Sequence, residues 1–153
     1  MDLEYGPEYQ DFTKKVQSFC KEYKGLSFKD RANTPLVSSG GSGGPEMHRS
    51  EWQKILIENG YFARSVPKEY GGYGGEADII KSRIIAAEFS KSKTPTPMGG
   101  QGIDMLVPTL LEMGTEEQKQ AYIKPTLHGE MIWCQGYSEP NAGSDLASLQ
   151  TKG

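Results

Sequence analysis

Six bulky residues recur along the first 23 positions at steps of 4, 3, 4, 3 and 4: Tyr5, Tyr9, Phe12, Val16, Phe19 and Tyr23. Alternating steps of three and four keep side chains on one stripe of an α-helix, and on no single face of a strand. The spacing predicts an amphipathic helix. Pro7 sits in its first turn, where a missing N–H costs little, and Gly25 ends it. Such a stripe either lines a cofactor site or packs a core. Helices bury one such face by default, which favours the core.

The same pattern recurs downstream. A second helix is predicted over Glu46–Asn59, with Trp52, Ile55 and Leu56 inward and Asn59-Gly60 as its stop. Residues 61–75 read as a turn-rich connection, with four glycines between Gly71 and Gly75. A third helix is predicted from Glu76 to Lys91. Ile80, Ile84 and Ala87 mark one face, and Ile79, Arg83 and Ala86 its neighbour. So wide an apolar arc predicts burial between other helices.

Pro95 and Pro97 interrupt the helical pattern after Lys91. A fourth helix is expected over Ile103–Met113, with Pro108 near its start or at a kink and Gly114 as its stop. Thr115-Glu116-Glu117-Gln118 reads as a capping box for a fifth helix ending near Pro125. Five helices with short connections predict an all-α fold, an antiparallel helical bundle over residues 1–129. Within it, residues 33–45 form a flexible Gly/Ser-rich loop (Ser38-Ser39-Gly40-Gly41-Ser42-Gly43-Gly44-Pro45). The Gly-Lys-Ser/Thr ending and preceding apolar strand of a phosphate-binding loop are missing from it.

The pattern then changes. Met131 to Ser138 is a short, partly alternating apolar run consistent with a strand, and Glu139 to Asp145 is a small-residue loop. A strand needs partners. Residues 130–153 are therefore expected to open a second, β domain that is incomplete within this sequence.

Composition excludes several function classes. With 17 Lys+Arg against 20 Asp+Glu, a net charge of −3 and no basic run, nothing favours nucleic acid. No stretch approaches the ~20 apolar residues of a membrane span. The start Met1-Asp2-Leu3-Glu4 resembles neither a secretory signal nor a transit peptide, so a cytoplasmic location is expected. Cys20 and Cys134 are far apart and only two histidines accompany them, which predicts free thiols and no metal site. His48 and His128 read as surface or helix-end residues. No Ser/His/Asp arrangement is legible.

The stretch Trp133-Cys134-Gln135-Gly136-Tyr137-Ser138-Glu139-Pro140-Asn141-Ala142-Gly143-Ser144-Asp145-Leu146-Ala147 resembles the flavin-binding signature of acyl-CoA dehydrogenases. Three further segments resemble that family in the same order: Trp52 through Asn59-Gly60, Val66 through Gly75, and Gly114 through Gln120. The resemblance implies a helical N-terminal domain, a middle β domain and a C-terminal helical domain, of which this chain carries the first and the opening strand of the second. It implies FAD as cofactor, an acyl-CoA thioester as substrate, a role in fatty acid metabolism, an electron-transfer acceptor and a homo- or hetero-oligomer.

The implied reaction is α,β-dehydrogenation, in which a carboxylate removes the α-proton and flavin N5 accepts the β-hydride. The family's catalytic glutamate lies in the C-terminal domain, so no catalytic residue is assigned here. Carried over by position, the cofactor-binding residues are Gln135, Gly136, Tyr137, Ser138, Glu139, Pro140, Asn141, Ala142, Gly143 and Ser144. Gln135–Ser138 would run beside the flavin ring, Gly143 and Ser144 would meet the pyrophosphate, and Ser144 would also reach the acyl-CoA.

Met98–Leu106 either forms part of the acyl-chain wall or simply packs a helix start. Ser138 stands where many relatives have Thr, Asn141 where Gly is common, and Tyr137 where an aliphatic residue is frequent. A flavin-dependent oxidase or monooxygenase of the same superfamily, or a helical binding module without catalysis, remains as alternative. The coding sequence beyond Gly153 discriminates the enzyme from the module.

Overall fold

The computed structural model describes residues 6–29 and 44–152. Tyr5 and most of the 33–45 loop lie outside the described residues. The described chain forms five α-helices and one two-stranded parallel sheet. Helix α1 spans Pro7–Glu22, β1 Ser27–Phe28, β2 Glu46–Met47 and α2 Arg49–Glu58. Helices α3, α4 and α5 span Ile79–Ser92, Val107–Met113 and Glu116–Leu127.

Helix α1 buries the stripe read from its spacing. Val16 and Phe19 are inside, and Tyr9, Phe12 and Tyr23 pack against them. Phe19 stands at the centre of this first core. Its ring stacks on Trp52 of α2 (centroids 5.5 Å apart) and on Phe89 of α3 (6.1 Å), and meets Tyr61 edge-on (4.8 Å). Aromatic pairs in these geometries add about 0.5–1.5 kcal/mol each beyond their buried area.

Helix α2 begins later than its sequence suggested. Glu46 and Met47 pair with Ser27 and Phe28, and His48 becomes the N-cap, its N–H donating to Glu51 Oε2 at 2.8 Å. One broad face of α2 is then buried. Trp52 and Leu56 enter the first core, Ile57 enters a second one built with Val66, Tyr70, Val107, Leu110, Ile123 and Leu127, and Gln53 is fully buried between them.

The glycine-rich connection is held tightly. Gly71 caps the 3-10 turn Lys68–Tyr70 at φ 84°, and a Cβ at Gly72 would lie 2.2 Å from the Val66 carbonyl oxygen. Only glycine fits both requirements without shifting the backbone. The Tyr70 hydroxyl donates to Glu116 Oε2 at 2.9 Å, tying this turn to the start of α5. That bond raises the Tyr70 pKa, while bonds from Gln120 and then Tyr70 lower that of Glu116.

Helix α3 departs from expectation. Ile84 and Phe89 are buried, but Ile79 is 77% exposed and Ala86 and Ala87 are exposed too. Its wide apolar arc is covered on one side only. The fourth helix opens as a π-helical turn, Gly102–Leu106, before α4. Pro108 supplies no N–H to the preceding turn, which closes instead through Val107 N–H on the Gly102 carbonyl.

The capping box is formed on α5. Gln118 N–H donates to Thr115 Oγ1 (3.3 Å), and the Gln118 side chain accepts from Thr115 N–H (2.9 Å). The helix continues past Pro125 to Leu127, because a proline in the last turn forfeits one bond while His128 N–H still reaches the Lys124 carbonyl. His128 is the C-cap, as its helix-end reading required.

Candidate functional site

Immediately after α5, Gly129 at φ 70° turns the chain back along the start of the fourth helix. The strand expected over Met131–Ser138 is not formed, since these residues make no ladder. A strand requires a neighbour to pair with, and the described residues offer none. Trp133 anchors the segment instead. Its indole N–H donates to Thr126 Oγ1 at 2.8 Å, and its ring meets Tyr122 edge-on at 5.6 Å. The ring also lies so close to Gly102 that a Cβ there would come within 2.4 Å of Trp133 Cδ1.

Two clefts flank Trp133. The smaller, about 70 Å³, lies between the Met98–Ile103 segment and the Gly129–Trp133 segment, with Thr126 at its floor. The larger, about 230 Å³, is lined by Gln101, Met105, Leu106 and Thr109 on one side and Trp133, Cys134, Gln135 and Tyr137 on the other. Met98–Leu106 is therefore both a packed helix start and a cleft wall.

The residues singled out from sequence fall into three groups. Gln135 and Tyr137 sit at the larger cleft, Gln135 with its amide nitrogen 3.3 Å from the Met105 sulfur, and Tyr137 80% exposed. Glu139, Pro140, Asn141 and Ala142 form a compact turn. Ala142 is buried, its N–H donates to the Glu139 carbonyl at 3.1 Å, and the Ser148 hydroxyl donates to the Asn141 carbonyl at 3.1 Å. Gly136, Ser138, Gly143 and Ser144 are exposed, and the Ser138 and Ser144 hydroxyls have no partner among the described residues.

Glu139 shapes the loop. Its carboxylate accepts from the Thr151 hydroxyl, from Gln150 N–H at 3.0 Å and from Thr151 N–H at 2.6 Å. These bonds, the Thr151 hydroxyl foremost, hold its pKa below the ordinary carboxylate value. An ionised carboxylate already engaged by three donors braces a turn and is poorly placed to abstract a proton. Nearby, burial and the Lys54 ammonium lower the pKa of His128. Lys54 also pairs with Glu130 at 2.9 Å. Cys20 is buried, Cys134 exposed, and both are free.

Sequence reasoning missed Gln53 and Thr126 as parts of this site, whereas Gly102 lies within the Met98–Leu106 stretch it had singled out. A lone amide among Trp52, Ile55, Leu56 and Ile57 was the signal for Gln53. Nothing local marked Thr126.

The sequence model described as the acyl-CoA dehydrogenase N-terminal domain matches residues 7–130. The chain belongs to the acyl-CoA dehydrogenase family. Among curated members, it is 34% identical over 144 residues to acyl-CoA dehydrogenase IpdE1 of Mycobacterium tuberculosis, covering 89% of this chain and 36% of that protein. It is 44% identical over 109 residues to the short-chain specific acyl-CoA dehydrogenase of Clostridium acetobutylicum, covering 69% of this chain and 28% of that one. The solved ChsE4-ChsE5 complex of Mycobacterium tuberculosis superposes with a TM-score of 0.57 at 28% identity, over 99% of this chain and 35% of that one. The Tcur3481-Tcur3483 steroid ACAD gives 0.56 at 26% identity, over 99% and 37%. The chain thus spans between 28% and 37% of the length of these four relatives. Among the described residues, no helix is long and apolar enough to cross a membrane.

Proposed function

We propose that this chain is the flavin-facing N-terminal part of an FAD-dependent acyl-CoA dehydrogenase, acting on an acyl-CoA thioester in the cytoplasm. In this reading the helices form the family's antiparallel bundle over residues 1–129, residues 130–153 open its β domain, and the catalytic glutamate lies outside these residues. The observation that carries it is the 135–144 stretch beside the Met105-lined cleft, exposed except at Glu139 and Ala142, with two unpartnered hydroxyls and a glycine beside the second of them.

The residues present suit one side of a flavin. Ser138 supplies a hydroxyl donor for the polar edge of the ring, and Gln135 and Tyr137 supply the surface along it. At Gly143 a Cβ would meet nothing within 4 Å, so the backbone is open to a phosphate, with the Ser144 hydroxyl adjacent. Bound there, FAD supplies the hydride acceptor at N5. This chain's own contribution is to bind and orient. The Glu139 brace sets the loop, and Trp133 closes the end of the cleft nearest α5. Met98–Leu106 would form part of the acyl-chain wall, and Ser144 would meet the pyrophosphate and also the acyl-CoA.

Partners follow the same reading: an acyl-CoA, an electron-transfer acceptor, and a homo- or hetero-oligomer. The ChsE4-ChsE5 neighbour is itself a complex.

The test reads the coding sequence in frame past Gly153, expresses the product and assays it with straight-chain and polycyclic acyl-CoA thioesters and a dye acceptor. The polycyclic arm is included because one neighbour is a steroid ACAD. Flavin-dependent dye reduction with formation of the enoyl-CoA is expected. Direct reduction of oxygen to peroxide without dye reduction would favour the oxidase reading. A native stop codon with no flavin uptake would favour the binding module.

A further inference from the structure

Trp52 and Gln53 are consecutive on α2, and both reach the same connection by hydrogen bonds. The Trp52 indole N–H donates to the Pro95 carbonyl at 3.1 Å, and Gln53 Oε1 accepts from Met98 N–H at 2.8 Å. Gln53 is 0% exposed, and its Nε2 donates to the Leu127 carbonyl at 3.0 Å. Leu127 ends α5, where carbonyls lack an intrahelical donor. The buried amide supplies one.

One side chain therefore joins two segments that face each other across the smaller cleft. The first begins at Met98 and runs into the π-helical turn; the second leaves α5 through Gly129 and reaches Trp133. The two already touch at their base, where a Cβ on Gly129 would lie 2.8 Å from the Met98 sulfur. They meet again at the far end, where the Trp133 ring lies against Gly102. A leucine or methionine would fill the Gln53 volume without desolvating an amide. Only a side chain carrying both a donor and an acceptor fixes Met98 N–H and Leu127 C=O at a set separation.

We propose that Gln53 is a positioning residue for the cleft. By holding both walls on one amide it sets their spacing, and through it the seat of Trp133 and the start of the 135–144 stretch. That the cleft serves flavin and acyl-CoA rests on the functional reading above; the coupling of Gln53 to Trp133 does not.

The experiment uses the ¹⁵N-labelled 153-residue chain. Gln53→Met removes both bonds at similar volume. Gln53→Glu keeps the shape and restores both bonds only when protonated, its O–H then donating to Leu127. The readouts are the Trp133 indole resonance and amide exchange at Met98. In Gln53→Met the indole resonance is expected to move or broaden and Met98 exchange to accelerate at least tenfold, while the Val16 and Ile84 amides stay protected.

In Gln53→Glu the Trp133 resonance is expected to sit at its wild-type position at low pH and to leave it as pH rises. The wild type, recorded alongside, accounts for titration of His128, Glu130 and Lys54. Accelerated Met98 exchange with an unmoved Trp133 resonance would overturn the proposal, leaving Gln53 a local strut. If Gln53→Met does not fold, a Trp133 profile in Gln53→Glu that tracks the wild type at every pH overturns it equally. Should Trp133 respond while neither FAD nor an acyl-CoA shifts any cleft amide, the coupling stands and the functional reading fails.

Discussion

Replacing Gly102 by alanine tests how the 131–138 segment is held. The new Cβ would stand 2.4 Å from Trp133 Cδ1 and 2.9 Å from Thr126 Cγ2. Ordinary carbon–carbon contact begins at about 3.5 Å, so the indole must retreat by roughly 1 Å. That retreat breaks its 2.8 Å bond to Thr126 and its edge contact with Tyr122. The bond contributes about 1 kcal/mol and the aromatic pair about as much again. Alanine recovers at most about 1 kcal/mol of backbone entropy, and less in a π-helical turn than in an α-helix.

The net loss is about 1–2 kcal/mol, which shifts the seated population of Trp133 roughly 5- to 30-fold. Because residues 131–138 make no ladder, the ring can leave without unfolding the helices. The thermal midpoint should fall by only a few degrees, about 2–4 °C per kcal/mol at this chain length. Trp133 emission should shift to the red and its acrylamide quenching should rise, with Trp52, 1% exposed, as the internal reference. Unchanged emission and quenching in a folded variant would refute the reasoning, as would loss of the helical circular dichroism.

Other perturbations read the fold. Leu56→Ala, at a position with no exposed surface, should cost about 2–5 kcal/mol, measured as a lower urea midpoint. Thr115→Ala removes the N-cap of α5 and should cost about 1 kcal/mol, with frayed amides confined to residues 116–118 by hydrogen exchange. His128 has a folded pKa below its ordinary value of 6.5, so the unfolded chain takes up that proton first. Its contribution to stability is complete above pH 6.5 and is lost as pH falls through the lower folded value. The urea midpoint of the wild type should therefore drop more between pH 7.5 and 5.5 than that of His128→Gln.

Much of the helical part was legible because its signals are local. The 3-and-4 spacing of α1, the Asn59-Gly60 stop and the Thr115–Gln118 box each act within a turn or two, and each appears where the spacing put it. The pairing of Ser27–Phe28 with Glu46–Met47 was not legible, since two-residue strands separated by a loop leave no period. Nor was the π-helical turn, which depends on how the backbone accommodates Pro108.

The open side of α3 was misread for a different reason. An apolar arc reports what a helix can bury, and Ile79, Ala86 and Ala87 have no cover among the described residues. At the site, the small-residue composition of 138–145 was plain in sequence. The Glu139 brace was not, because its partners Gln150 and Thr151 lie eleven and twelve positions downstream.

The central claim is that residues 135–144 form one side of a flavin site. Titrating FAD to millimolar concentration into the ¹⁵N-labelled chain tests it most directly. Weak binding is expected, since one wall buries little of a cofactor that tight sites enclose almost entirely. The shifts should nonetheless concentrate at the amides of Gln135, Ser138, Gly143 and Ser144 and at the Trp133 indole, and Ser138→Ala with Ser144→Ala should abolish them. Shifts confined to the α1 and α3 surface, or a response that survives loss of both hydroxyls, would contradict the account.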